Sequence, residues 1–293
     1  MRWYDAEFEK LYLLVPMAFV FRNGTTDEQI YTHVVTHNEY RLPSTFHPND
    51  IVIDIGAHIG SFSYAVLTRG VGTVYLFEPD RSNCAQIVEN LATYISDGRA
   101  RLERGAVWRS DKANQVTYHG GYSIEPGNVV NSGGVGVIWA REGEGESLPT
   151  VPFDSIIDSV TEGGRRRIRL LKIDCEGSEW PILLTSKKLH LVDEICGEFH
   201  ELGGRYHARE APFEIDGKRR FTVSELKEYL ARFGFSTVFH RGRNFDNTRS
   251  HCGLFFASRA GVFSLRYIRF IVRLNLMIRA RVIARDAIVS VRR

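Results

Sequence analysis

The chain has 293 residues, of which 43% are hydrophobic and 25% charged, with a formal net charge of +3. This composition excludes a collagen-like or extensively disordered chain and is typical of one large globular domain. The four cysteines lack C-x-x-C spacing, which disfavours a zinc ribbon and favours a reduced, cytoplasmic protein. No run reaches the ~18 apolar residues of a membrane span. Acidic residues precede the apolar stretch 11–21, where a signal peptide would carry positive charge.

Residues 51–60 read I-V-I-D-I-G-A-H-I-G and predict a buried strand that runs into a glycine-rich turn, with a helix over 61–69 behind it. The carboxyl end of such a strand opens onto a ligand crevice. The order D-x-G-x-x-x-G differs from the dinucleotide pattern G-x-G-x-x-G, because a carboxylate repels a pyrophosphate but accepts hydrogen bonds from an ammonium group. We therefore predict a zwitterionic ligand such as the methionyl end of S-adenosylmethionine, held by Asp54, Gly56, Ala57, Gly60 and Ser61.

A second strand is predicted over 73–77, and it ends in Glu78, Pro79 and Asp80. A carboxylate at the end of the second strand is the usual acceptor for the two hydroxyls of a ribose. This position assigns Glu78 and Pro79 to the cofactor site. The alternative is that Asp54 and Glu78 only cap loops.

Three ordered strings, VIDIGAHIGSFS, YLFEPD and LLKIDCEGSEW, resemble the FkbM family of S-adenosylmethionine-dependent O-methyltransferases over residues 39–257. The resemblance implies a Rossmann-like class I methyltransferase fold of the α/β class. Its sheet would be mostly parallel and seven-stranded, with an antiparallel closing strand and helices on both faces. The resemblance also implies S-adenosylmethionine as cofactor, S-adenosylhomocysteine as product, and hydroxyl acceptors on small molecules, natural products, sugars or glycans.

Three segments are expected along the chain: an entry or lid segment over 1–47, the methyltransferase domain over 48–258, and a basic tail over 259–293. A third strand is predicted over 101–106, where the backbone near Ala106 and Val107 would approach the adenine. Residues 112–149 are rich in glycine and indicate an inserted hairpin that pairs 115–119 with 135–139. Further predicted elements are helices over 151–160 and 222–232, strands over 167–175 and 192–199, and a closing hairpin of 236–240 with 252–257.

Acidic residues and one histidine follow the last two parallel strands. Asp174, Glu176 and His200 are predicted to face the acceptor, with His200 as the candidate general base, because histidine titrates near neutral pH. Asp174 is also predicted to contact the cofactor, since it should lie beside Asp54 across the crevice. A surface histidine bonded to a carbonyl is the alternative. The carboxylates and His200 could also hold Mg²⁺ or Ca²⁺, although salt bridging is the commoner fate of the set Asp174, Glu176, Glu179, Glu198 and His200.

The tail 259–293 carries nine arginines and a single acidic residue, Asp286. Its pattern predicts a basic amphipathic helix, which favours peripheral contact with the inner membrane face. An ordinary terminal helix pair or a dimer arm is the alternative, and the oligomeric state is open. An RNA methyltransferase is a rival reading that uses the tail and the loop around Arg243 as a phosphate-binding surface. The absence of an N/D-P-P-Y/F string and the interleaving of the basic residues with aliphatic ones, where stacking aromatics would be expected, disfavour nucleic acid. A cofactor-binding scaffold without catalysis and a dehydrogenase are further rivals.

Overall fold

The computed structural model describes residues 19–112, 115–118, 129–134, 136, 146–243 and 249–259. The first 18 residues of the expected entry segment, most of the inserted hairpin and the tail from residue 260 lie outside the described residues. Within the described part, no helix is both long and apolar enough to cross a membrane.

The described part of the chain contains ten strands and seven α-helices. The strands are β1 Ile51–Ile55, β2 Thr73–Glu78, β3 Ala100–Arg104, β4 Ala106–Trp108, β5 Gln115–Tyr118, β6 Glu146–Pro152, β7 Ile168–Ile173, β8 Val192–His200, β9 Ser236–Arg243 and β10 Arg249–Ser258. The helices are α1 Asp27–Tyr31, α2 Ser61–Leu67, α3 Arg81–Asn90, α4 Ala92–Ser96, α5 Phe153–Val160, α6 Glu179–Thr185 and α7 Val223–Arg232. A π-helical turn at Thr32–Thr36 follows α1, and a 3₁₀ turn at Leu189–Leu191 precedes β8.

Seven strands form one sheet in the order β3-β2-β1-β7-β8-β10-β9. The pairs β3-β2, β2-β1, β1-β7 and β7-β8 are parallel, whereas β10 is antiparallel to both of its neighbours. The predicted fold is therefore confirmed, including the closing antiparallel hairpin. The carboxyl ends of β1, β2, β7 and β8 meet at one edge of the sheet, where a doubly wound fold places its ligands.

Helices cover both faces of this sheet, which is why its central strands are largely apolar runs. Ile51, Ile53 and Ile55 point to a core cluster that also holds residues of α5, α6 and α7. Val52 points to the opposite cluster, with residues of α2 and α3. Because side chains alternate along a strand, Asp54 shares the face of Val52 and lies beneath α2.

The region after β2 departs from the sequence prediction. The third strand, expected over 101–106, is divided at Gly105: β3 pairs with β2, while β4 pairs with β6 in a separate three-stranded sheet of order β4-β6-β5. The split has a physical cause, since β2 ends at Glu78 and offers no partner beyond Arg104. The chain then crosses to β6.

Strand β6 accounts for two further differences from the sequence prediction. It includes Val151 and Pro152, so the helix predicted from 151 begins at Phe153, after Pro152 adopts an extended conformation. The described partner of β5 is β6, whereas the predicted partner 135–139 lies mostly outside the described residues. The helix predicted over 222–232 is α7, and it begins with a capping box in which Thr222 and Glu225 are bonded reciprocally.

Candidate active site

A cavity of about 280 Å³ opens at the carboxyl ends of the parallel strands. Its walls come from five parts of the chain: the segment before β1, the turn after β1, the end of β2 with β4, the insertion, and the loops after β7 and β8. Of the predicted site residues, eight line this cavity: Gly56, Ala57, Ser61, Glu78, Pro79, Val107, Asp174 and Glu176. Three predicted residues, Asp54, Gly60 and His200, lie behind its wall.

The turn after β1 is held tightly between two neighbouring segments. Gly56 has a φ of 74°, and a Cβ at this position would lie 1.9 Å from the carbonyl oxygen of Asp174. The amides of Gly56 and Ala57 both donate to the carbonyl of Phe77, at 3.0 and 3.2 Å. Only glycine permits this approach without displacing the loop after β7. The turn therefore presents its backbone to the cavity in a fixed position.

Asp54 is fully buried and does not line the cavity, but it acts on the turn through its contacts. Its Oδ2 accepts a hydrogen bond of 2.7 Å from Ser63 Oγ, and its Oδ1 lies 3.3 Å from Lys172 Nζ. Lys172 in turn donates to the carbonyl oxygen of Gly56 at 2.6 Å and lines the cavity. Burial lowers the pKa of Lys172, but the carboxylates of Asp54 and Asp174 outweigh it, and the net pKa is raised. The ammonium group is therefore charged at neutral pH.

Two more predicted residues frame the turn. Gly60, at φ 90°, is adjacent to Leu91, where a Cβ would lie 3.1 Å from the leucine Cδ1. The structure therefore gives Gly60 a packing role between α2 and the neighbouring helix layer. Ser61, at the start of α2, lines the cavity with a buried Oγ that has no hydrogen-bond partner among the described residues. A buried hydroxyl without a partner is costly, so this atom suits a ligand that supplies one.

Glu78 closes the far side of the turn. Its Oε2 accepts from the amide of His58 at 2.8 Å, and its Oε1 accepts from the amide of Asp80 at 3.0 Å and from Asn83 Nδ2 at 3.3 Å. Burial raises the pKa of Glu78 to about 7, although these donors act in the opposite direction. The carboxyl group is therefore fixed in orientation and titrates near neutral pH.

A polar network joins the entry segment and the insertion to this turn. Asp27 is fully buried and receives two guanidinium hydrogen bonds from Arg22, at 2.8 and 2.9 Å, and one of 2.6 Å from Ser132 Oγ. His58 Nε2 lies 2.9 Å from Ser132 Oγ and 3.3 Å from Asp27. Burial raises the pKa of Asp27, but His58, Arg22 and Ser132 outweigh it and hold that pKa well below its usual range. The network therefore holds the entry segment and the insertion against the turn at this side of the cavity.

The opposite end of the cavity is acidic. Glu39, Asp174, Glu176 and Glu198 all line it. Asp174 Oδ2 accepts a 2.9 Å hydrogen bond from the hydroxyl of Tyr40, so this tyrosine both packs against Phe62 and reaches the site. Burial raises the pKa of Glu176 to about 7, and the nearby Asp174, followed by burial, raises that of Glu198 to about 8. Four carboxyl groups are therefore gathered at this end, and Glu176 and Glu198 are only partly ionised near neutral pH.

His200 lies behind these carboxylates, with 5% of its surface exposed. Its Nδ1 is 3.2 Å from Glu179 Oε1, and its Nε2 lies 3.5 Å from Glu176 and 3.7 Å from Glu198. Burial lowers the pKa of His200, but Glu179 and then the other two carboxylates raise it well above its usual value. His200 does not line the cavity, so the general-base role that the sequence suggested stays a prediction.

Several residues of the site were missed in the sequence. Lys172 interrupts the apolar end of β7, and a lysine at such a position signals a buried partner. His58, inside the glycine-rich turn at φ 52°, and Asp27 give no local signal. Glu39 and Tyr40 belong to the segment 1–47, which the sequence assigned only to an entry or lid region.

Comparison with known proteins places these residues in a family. A sequence model of the methyltransferase FkbM domain matches residues 54–236, which includes the turn, the end of β2 and three of the four carboxylates at the acidic end of the cavity. The AMB antimetabolite synthetase AmbE of Pseudomonas aeruginosa is 26% identical over 262 aligned residues, covering 78% of this chain and 12% of the synthetase. The chain thus corresponds to a small part of that protein.

Two solved structures illustrate the structural similarity. The FkbM methyltransferase of Methylobacillus flagellatus is 16% identical, with a TM-score of 0.46, over 77% of this chain and 47% of that one. An rRNA methylase of Streptococcus thermophilus is 11% identical, with a TM-score of 0.40, over 76% of this chain and 93% of that one. At these scores neither structure bears on the substrate.

Proposed function

Because the chain belongs to the FkbM methyltransferase family, we propose that it is an S-adenosylmethionine-dependent O-methyltransferase that acts on a hydroxyl of a small molecule or glycan. The observation that carries this proposal is the division of one cavity into two ends. One end consists of a tight glycine turn, an unpartnered serine hydroxyl and a single carboxylate. The other end is lined by four carboxylates.

The first end fits the cofactor. Gly56 and Ala57 present backbone to the methionyl part, and Ser61 Oγ supplies a polar partner to it. Glu78 would accept hydrogen bonds from the ribose hydroxyls, with Pro79 beside it, and Val107 lies where the adenine would pack. We assign Asp54 an indirect role: since it lies behind the wall, it would hold Lys172, which fixes the carbonyl of Gly56.

The second end would receive the acceptor. S-adenosylmethionine supplies an electrophilic methyl group on a sulfonium sulfur; transfer to a hydroxyl oxygen breaks the carbon–sulfur bond, leaves its electron pair on sulfur and releases the hydroxyl proton. Glu176 lines the cavity and is the carboxylate that we propose to take this proton. Asp174 would orient the acceptor together with Tyr40. His200, behind the wall, would position Glu176 and Glu198 rather than touch the substrate.

Shielding from water would come from the entry segment and the insertion. Gly136 of the insertion lies so close to Glu176 that a Cβ there would come within 2.9 Å of the glutamate Cβ. The network of Asp27, His58 and Ser132 holds the other side of the cavity. Exclusion of water and fixed orientation of the two reactants supply much of the rate enhancement in a displacement of this kind.

A small-molecule acceptor is supported by the relative named as an antimetabolite synthetase, which matches over 78% of this chain. Transfer of a radiolabelled methyl group from S-adenosylmethionine into a panel of sugars, polyols, hydroxy acids and hydroxylated amino acids would test the proposal. The panel includes tRNA and rRNA fragments, because an RNA methyltransferase is the rival reading of the sequence. Label in a hydroxyl compound supports the proposal; label only in RNA, or in nothing while the cofactor binds, contradicts it.

A peripheral membrane contact is part of the same proposal. It rests on the nine arginines of the tail 259–293, which an anionic surface attracts. Such a contact would suit acceptors carried on lipids.

A further inference from the structure

The acidic end of the cavity contains a set of side chains from two neighbouring strand ends that match the ligands of a metal ion. One ligand atom each from Asp174, Glu198 and His200 lies within 4.8 Å of the other two. Ligand atoms around a single divalent ion, each about 2.0 to 2.6 Å from it, are separated by roughly 3 to 5 Å. The three atoms are therefore close enough together to be ligands of one ion.

The imidazole is oriented for ligation. His200 Nε2 makes no hydrogen bond to any residue in the described part of the chain, although only 6% of the side chain is exposed. It faces Glu176 and Glu198 at 3.5 and 3.7 Å, too far for good hydrogen bonds. The other ring nitrogen, Nδ1, is held by the fully buried Glu179 at 3.2 Å. A buried carboxylate on the far nitrogen is how proteins orient a histidine that binds a metal.

Glu179 is itself fixed, which makes this orientation rigid. Its Oε1 accepts a 3.0 Å hydrogen bond from the amide of Cys175, and the carbonyl of His200 accepts a 2.7 Å bond from Trp180 Nε1. Glu179 and Trp180 both belong to α6, so this one helix contacts the ring and the carbonyl of His200. The loop after β7 and the end of β8 are thereby locked together around the three ligand atoms.

Carboxylates outnumber the cationic side chains that act on this end of the cavity. Four carboxylates line it, whereas Lys172 is held by Asp54 Oδ1 at 3.3 Å and by the Gly56 carbonyl at 2.6 Å. Concentrated carboxylates in a buried site are stabilised by a cation, and carboxylate oxygens suit Mg²⁺ and Mn²⁺.

We propose that Asp174, Glu198 and His200 bind one divalent cation of the Mg²⁺ or Mn²⁺ class, with Glu179 as the residue that positions His200. The role of the ion in catalysis rests on the methyltransferase function proposed above. The ion would bind the acceptor through two adjacent oxygens, such as those of a vicinal diol or of a hydroxyl beside a carboxylate. It would lower the pKa of the hydroxyl that is methylated. Glu176, which is not among the three ligands, remains to take the released proton.

Mn²⁺ binding to the full-length, chelator-treated protein tests the site without any methyl transfer. Free Mn²⁺ is measured by electron paramagnetic resonance during a titration. We expect one site per chain, lost in Glu198→Gln and Asp174→Asn, and about 10- to 100-fold weaker in Glu179→Gln. Glu194→Gln is the matched control. Glu194 lies on β8 with Glu198 and on the same face of the sheet, but at the other end of the strand, where it pairs with Arg169. This variant should bind Mn²⁺ as the wild type does.

No Mn²⁺ site in the wild-type protein would overturn the proposal, as would wild-type affinity in Glu198→Gln or an equal loss in Glu194→Gln. Calorimetric binding of S-adenosylmethionine is measured on the same samples and shows that each variant is folded. A protein that binds S-adenosylmethionine but not Mn²⁺ contradicts only the metal site. A protein that binds Mn²⁺ through these residues but not S-adenosylmethionine supports the metal site and contradicts the proposed function.

Discussion

Lys172 and Asp54 form a buried ion pair between the two central strands of the sheet. The residues are register partners on β7 and β1, and Nζ lies 3.3 Å from Oδ1. The same ammonium group donates to the carbonyl of Gly56 at 2.6 Å. The carboxylate that begins the glycine-rich motif therefore acts on the cofactor turn through a lysine 118 positions later in the chain.

Removing the lysine should leave a buried, uncompensated carboxylate. Lys172→Met is expected to lower the free energy of unfolding by roughly 3 to 5 kcal/mol, since the pair is almost fully buried. Urea denaturation measures this loss. Lys187→Met, at an exposed position, is the control and should change the free energy of unfolding little. The double variant Asp54→Asn with Lys172→Met should recover part of the stability that Lys172→Met loses. A decrease below ~1 kcal/mol, typical of an exposed pair, would contradict the structural role.

Gly56 should tolerate no side chain, for a reason separate from its positive φ. Gly56→Ala places a Cβ 1.9 Å from the Asp174 carbonyl oxygen, so the turn and the loop after β7 must separate. Gly98→Ala is a matched control, because Gly98 has a φ of 76° and a Cβ there would meet no described atom within 4 Å. The control should lose roughly 1 to 2 kcal/mol in urea denaturation, and Gly56→Ala should lose more and bind no S-adenosylmethionine. Equal effects would contradict the close approach.

Cofactor affinity should depend on the titration of Glu78. Burial raises its pKa to about 7, and only the ionised carboxylate accepts hydrogen bonds from both ribose hydroxyls. The affinity for S-adenosylmethionine is therefore expected to rise with pH and to be about tenfold weaker at pH 6 than on the alkaline plateau. Calorimetry in Glu78→Gln should give weaker binding without this pH dependence, while Glu89→Gln should behave as the wild type. A persistent pH dependence in Glu78→Gln would contradict the assignment.

The arginine-rich tail should bind anionic membranes. Co-sedimentation with vesicles that contain anionic lipid is expected to pellet the intact chain, and to pellet much less of a chain that ends at Ser258. Increasing salt should release the intact protein, since the attraction is electrostatic. Equal pelleting of the two chains would exclude a contact through the tail.

Much of the fold follows from local sequence signals. Strands β1, β2 and β7 are largely apolar runs that end at or before an acidic residue or glycine, and the closing hairpin is bounded by Gly234 and contains a basic loop. The break at Gly105 was not predicted, because it depends on where the partner strand β2 ends. The helix predicted over 151–160 is present but begins two residues later, at Phe153, because Val151 and Pro152 belong to β6, which pairs in parallel with β4, 44 positions earlier in the chain.

The site was predicted as a set of residues but not as an arrangement. Glu78, Asp174 and Glu176 were placed at the strand ends, where the structure has them. Alternation along β1 already puts Asp54 on the face of Val52, toward α2, but its pairing with Lys172 depends on the register between two distant strands. The charge of His200 depends likewise on Glu179, Glu176 and Glu198, which come together only in the folded chain.

The central claim is that the cavity binds S-adenosylmethionine, and calorimetric titration tests it most directly. The purified protein is titrated with S-adenosylmethionine, with S-adenosylhomocysteine and with NAD as the control. Both sulfur compounds should bind in the micromolar range, Glu78→Gln should weaken both, and NAD should give no binding heat. Binding of NAD without either sulfur compound would contradict the assignment of the cofactor turn and of the reaction derived from it.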